Sequence, residues 1–149
     1  MSDMTEKPDA PVREANAMIA GMAPEMADGA FVFCITSDPA VAAACAVQAV
    51  SKFVEAEGDS FILPLPEAER LGFDCSLPMR MITLTVHSAL DGSGLTAAVS
   101  SELATLNIPC NMVAAFCHDY LFVPDQCADR AFEALVALQG RFKSLSTQD

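Results

Sequence analysis

The sequence predicts an α+β fold in two lobes, each an antiparallel sheet with its helices packed on one face. Three observations lead there. Apolar residues make up 52% of the 149 residues and charged ones 19%, which fills a core and is too apolar for a disordered chain. From Arg80 onward, strand-like and helix-like periods follow in the order β-α-β-β-α. The part before Gly72 carries more strand-like runs than helix-like ones, so neither half is complete alone. The two halves are expected to lend strands to each other or to a second subunit.

Residues 1–12 read as a flexible tail, 13–78 as a first lobe, 79–140 as a second lobe and 141–149 as a closing tail. The helical period begins within the tail: Val12, Ala15, Met18, Ile19 and Met22 share a face and predict a helix from Ala10 to Met22, closed by Gly21 and Pro24. Phe31 to Ile35, between Gly29 and Asp38-Pro39, predicts a buried strand. Asp38-Pro39 is a helix start, yet Val50, Phe53 and Val54 suit a strand, so residues 40–54 stay ambiguous. Gly58 lies at the tip of an expected hairpin whose second strand is Phe61-Ile62-Leu63, and a short helix over Glu67 to Leu71 precedes a loop from Gly72 to Pro78.

The second half is plainer. Ile82, Leu84 and Val86 alternate with Met81, Thr83 and Thr85, giving a strand with one core face and one less apolar face. Leu95, Ala98, Val99, Leu103 and Leu106 line one side of a helix, with Asp91 and Ser93 as candidate N-caps and Asn107 suited to a left-handed C-terminus. Cys110 to Phe116 and Tyr120 to Val123 are strands joined by the Cys117-His118-Asp119 turn. A last helix carries Ala128, Ala131, Phe132, Leu135 and Leu138 inward. A hairpin between two helices in this order belongs to ferredoxin-like sheets.

Net charge is −12, so the chain lacks the basic patch that nucleic acid or an anionic membrane surface requires. Asp3 to Asp28 and Glu55 to Asp74 hold six carboxylates each and read as solvated surface. Residues Met1 to Glu14 are polar, and no run approaches the roughly 20 apolar residues of a membrane span. A cytoplasmic location is expected, with the six cysteines reduced.

The candidate site is the turn from Ser88 to Leu95, where a strand passes through Ser and Gly into a helix. Free backbone N–H groups at a helix start suit a small anionic or polar ligand, and Gly94 lets it approach closely. The plain alternative is an ordinary capped helix. Asn111 either orients a ligand through its amide or closes a strand end. Cys110, Cys117, His118 and Asp119 could suggest a metal or a thiol nucleophile. Adjacent Cys-His residues point to opposite sides of a strand, however, so structural roles are favoured. No catalytic residue, metal or cofactor is expected. The Met81, Thr83, Thr85 face would need a cover, and a second copy, hence a homodimer, is the natural one.

Met81 to Ser88, Leu90, Gly94 to Ser100, Cys110 to Ala115, His118-Asp119 and Phe122 to Pro124 resemble a family of small bacterial ACT-domain proteins. Met22-Ala23-Pro24, Gly29, Phe31 to Cys34 and Glu55 to Gly58 extend the likeness over residues 14–138. The ACT regions of animal cytosolic arginine sensors look similar around Ser88 to Leu95. The resemblance implies a non-catalytic sensor or regulatory module that binds a small molecule, most naturally an amino acid. It would bind at the turn between first strand and first helix, near a lobe or subunit interface. By position it implicates Ser88, Ala89, Leu90, Gly94 and Leu95, with Asn111 and Val113 from the neighbouring strand. Where the family has Glu-Ala-Val before the Gly, this chain has Asp91-Gly92-Ser93, so Ser93 joins as an added donor and ligand identity does not transfer.

Overall fold

The computed structural model describes residues 10–146, as five helices, seven strands and a single 3-10 turn among those residues. In chain order the elements are α1 (Ala15–Ala20), β1 (Pro24–Met26), β2 (Phe31–Thr36), α2 (Pro39–Gln48), β3 (Ser51–Glu55), β4 (Gly58–Pro64) and α3 (Leu65–Arg70). Then follow β5 (Met79–Leu84), α4 (Leu95–Thr105), β6 (Asn111–Ala114), β7 (Asp119–Pro124), the 3-10 turn Asp125–Cys127 and α5 (Ala128–Ser146).

Local chemistry sets the boundaries. The Glu14 carboxylate caps α1 by accepting from the N–H groups of Asn16 at 3.0 Å and Ala17 at 2.7 Å. The helix is therefore shorter than the expected Ala10–Met22, because Val12 is held elsewhere: its N–H donates to His87 O at 2.7 Å and its O accepts from Ala89 N at 2.8 Å. Asp38 caps α2 through Ala40 N, with Pro39 at the first helical position, so the ambiguous stretch resolves as helix, then strand. The hairpin around Gly58 forms as expected, and a Cβ there would lie 2.6 Å from Thr36 O. Asn107 takes the left-handed conformation expected of it, φ 56°. Asp91 and Ser93 do not cap α4: its N-cap is Gly94, which has no side chain to offer, and Asp91 pairs with Arg13 at 2.9 Å instead.

The sheet order is β3-β4-β2-β5-β7-β6, antiparallel throughout, with β1 also paired to β5. Within the second half the order β1-β5-β7-β6 is that of a ferredoxin-like sheet whose fourth strand, β1, is lent by the first half of the chain. That loan completes the half which the sequence left one strand short. In return β5 borders β2 through Phe31 and Met79. The segment 15–26 thus packs with the second lobe although it falls within residues 13–78, since α1 lies on α4 and α5. Residues 141–146 continue α5, and Phe142 packs against the core. The expected tails at residues 1–9 and 147–149 lie outside the described residues.

Helices cover one face of the sheet. Ile82, Leu84, Leu121 and Val123 are buried under Met18, Val99, Leu103 and Leu135, while Val32, Phe61 and Leu63 are buried with Cys45 and Ala68. Among the described residues the opposite face carries no helix, yet Phe31, Ile62, Met79 and Phe122 are buried there. The sheet curls, so that the edge strands β3 and β6 line one hollow although they stand at opposite ends of the order. Phe33 and Phe122 meet edge-to-face at 5.3 Å. The Met81 face, for which a second copy was the expected cover, is covered in part by the first lobe's own sheet. β2 is not buried on both sides: Phe33 and Ile35, on the concave face, are 44% and 46% exposed.

Candidate functional site

A cavity of about 360 Å³ opens where β5 leaves the sheet and α4 begins. Six of the residues singled out in the sequence line it together: Ser88, Ala89, Leu90, Ser93, Gly94 and Leu95. Gly92, the residues Thr96 and Ala97 of the first helical turn, Ala114, Asp119 and Met18 complete the wall. Asn111 and Val113 do not join them. They pair with Phe122 and Tyr120 on the helix-free side of the sheet, and Ala114 is the β6 residue that reaches the cavity.

The chain ahead of α1 straps the turn in place. Val12 bridges Ser88, and Arg13 donates to Asp91 at 3.0 Å. The glycines answer to this strap. A Cβ on Gly94 would lie 2.8 Å from the Ala15 Cβ, and φ at Gly94 is +109°. A Cβ on Gly92 would crowd Arg13 O at 3.1 Å and Ala89 O at 3.2 Å. The Gly92 departure from the family pattern is therefore the residue that the strap crosses.

The cavity has two electrostatic ends. At one, α4 starts without a side-chain cap and without an acidic residue in its first turn, so the N–H groups of Leu95, Thr96 and Ala97 present the positive end of the helix dipole. At the other stands the Asp119 carboxylate, which accepts from the buried Ser88 Oγ at 2.7 Å. A ligand carrying one anionic and one cationic group is met at both ends. The sequence reading placed Asp119 with the neighbouring Cys and His. The signal that would have placed it here is register: as the first residue of β7 it pairs with Leu84, the last of β5, where the turn departs.

The cysteines show no such arrangement. Burial and the neighbouring Cys45 thiol push Cys34 up to about 11, and its Sγ donates to Phe61 O. Burial likewise raises Cys45, Cys75 and Cys110, which keeps these thiols protonated. Cys117 and His118 lie in the β6–β7 hairpin, closed by Ala115 N donating to His118 O at 3.0 Å. Among the described residues no three His, Cys, Asp or Glu side chains converge as a metal-ligating group, and no helix is long and apolar enough to cross a membrane.

Comparison with known proteins bears on this geometry. The sequence pattern of the ACT domain matches residues 10–80, and a second ACT-domain pattern matches residues 76–137. No curated protein matches the chain. Among solved structures, a protein of unknown function from Vibrio cholerae, described as a possible transport protein, is 32% identical; the match covers 81% of this chain and 93% of that one, with a TM-score of 0.71. A protein from Agrobacterium tumefaciens shares the fold at 18% identity, over 87% and 91% of the two chains, TM-score 0.61. The ligand-free regulatory subunit of aspartate kinase from Thermus thermophilus shares it at 11% identity, over 77% and 95%, TM-score 0.55.

Proposed function

The chain belongs to the ACT-domain family, carrying two ACT domains in tandem, and on that premise we propose that it is a non-catalytic regulatory module binding an amino acid at the Ser88–Leu95 turn. ACT domains are typically ligand-binding regulatory units. The observation that carries the finer reading is one cavity holding both an uncapped helix N-terminus and a carboxylate. An α-carboxylate fits the N–H groups of Leu95, Thr96 and Ala97, and an α-ammonium fits Asp119. Ser93 and Leu90 at the rim meet the side chain, and Gly94 lets the ligand come close to the backbone. A cavity of about 360 Å³ suits a molecule of this size. Asn111 and Val113, placed on the other face, would act on the ligand only from a neighbouring copy.

The module works in this reading as a cytoplasmic homodimer, with a second copy closing the open side of the turn. Thermal-shift and calorimetric screening of the full chain against the common amino acids tests the reading. Stabilisation by one or a few of them, lost in Asp119→Asn, is the expected outcome. No stabilisation by any of them at millimolar concentration refutes it.

A further inference from the structure

The curled sheet holds a second hollow that the amino-acid reading does not use. Between the edge strands β3 and β6 lies a trough of about 660 Å³, walled by Phe33, Ile35, Phe53, Ile62 and Val113. Past Ser51, Val113 and Ala114, which line both hollows, it runs on into another of about 500 Å³ over Met81, Tyr120 and Phe122. Its walls expose large apolar side chains on one concave surface, with Phe53 at 72%. A soluble protein keeps such a patch where something occupies it.

The lining says what kind of molecule fits. Among the described residues no Lys, Arg or His lines either hollow. The charged side chain present is Glu55 at one end, its carboxylate accepting from Ser60 Oγ. An anionic head would find no counter-charge here and would face Glu55. A cationic head would find its partner at the mouth of the trough, where water still reaches both. Edge strands that converge over a concave floor admit a slim body more readily than the flat face of another sheet.

We propose that the trough binds an elongated apolar molecule with a cationic head, such as a long-chain amine. Its body lies along Phe33, Ile62 and Val113, and its head sits beside Glu55. The site stands on the helix-free face and shares Ala114 with the wall of the amino-acid cavity.

The test uses the full chain with Nile red, a neutral apolar dye, displaced by dodecylamine, protonated at neutral pH, or by dodecanoate. Dye fluorescence should rise on binding, and the amine should displace it at about tenfold lower concentration than the acid, the sum of one attraction and one repulsion across a solvated ion pair. Glu55→Lys, at an exposed position, should reverse the order. Absent dye binding, equal displacement by both amphiphiles, or an order unmoved by Glu55→Lys overturns the proposal. So does dye release as the protein is concentrated into dimers, which would make a second copy the occupant.

Discussion

Ser88 Oγ donates to Asp119 Oδ2 at 2.7 Å, joining the start of the Ser88–Leu95 turn to the first residue of β7 inside one cavity. The bond fixes the carboxylate opposite the start of α4. Asp119→Asn keeps an acceptor for Ser88 and removes the charge, so it separates the scaffold from the chemistry. Apo stability should change by less than about 1 kcal/mol, while amino-acid affinity falls by about 2 kcal/mol, or some thirtyfold. Ser88→Ala should weaken binding less, since the carboxylate stays and only its aim is loosened. Isothermal titration reads both variants against the wild type.

Gly94 is where the turn and the strap touch. Its φ of +109° and the 2.8 Å approach to the Ala15 Cβ leave no room for a side chain. Gly94→Ala should cost about 2–3 kcal/mol, from a strained backbone and from an overpacked contact. Urea unfolding measures the cost. A second signature is local: the strap should lift, so exchange of the Val12 amide, which donates to His87 O, and of the Ala89 amide, which donates to Val12 O, should speed up more than exchange in β7.

Because β5 joins the strands of both lobes in one sheet, the lobes are expected to unfold as one unit. Leu84 is fully buried on this strand, so Leu84→Ala should destabilise by about 3 kcal/mol. The loss should appear in both lobes at once. Tyr120, the single tyrosine of a chain without tryptophan, reports on the second lobe, and protection of the buried Cys45 thiol reports on the first. Coincident denaturation midpoints for the two probes are the expected result, and a split midpoint would separate the lobes.

The features legible in the sequence were those decided by neighbours along the chain. The alternation of Ile82, Leu84 and Val86, the periodic face of α4, the Asp38-Pro39 helix start and the hairpin at Gly58 all rest on local periodicity or turn chemistry. So did the Ser88–Leu95 turn, where a strand passes through Ser and Gly into a helix. What escaped was decided by partners far away. Pro24-Glu25-Met26 is too short to read as a strand and becomes one only because β5 has a free edge. Val12 left its helical period for a bridge with Ser88, and Asp91 left its capping role for Arg13. Asp119 could be assigned to the cavity only through the register of β5 against β7.

Glu67 is buried and hydrogen-bonded by Arg70, whose Nε reaches Oε2 at 2.9 Å, and this bond holds its carboxyl below the usual carboxylate range. A group whose folded pKa is lowered contributes stability above its unfolded value of about 4.5, and that contribution is lost as pH falls through the folded pKa. Denaturation midpoints measured from pH 7 down to about 3 should therefore fall less steeply in Glu67→Gln than in the wild type. Equal slopes would remove Glu67 from the acid limb.

Cys34 gives the opposite sign at the alkaline end. Burial lifts its thiol from 9.0 to about 11, so the folded state binds the proton more tightly than the unfolded one. The contribution is complete below pH 9 and is lost as pH rises through about 11. Cys34→Ala should flatten that limb, at the expense of a small constant loss from the removed sulfur. The same shift predicts reactivity. Only the thiolate attacks an alkylating reagent, and two pKa units lower its population about a hundredfold at pH 8. Mass-spectrometric footprinting with iodoacetamide should find the Cys34 peptide modified about a hundredfold more slowly in the native protein than in urea. A native rate equal to the unfolded one would show a thiol exposed and unshifted, and the first-lobe core would have to be reconsidered around it.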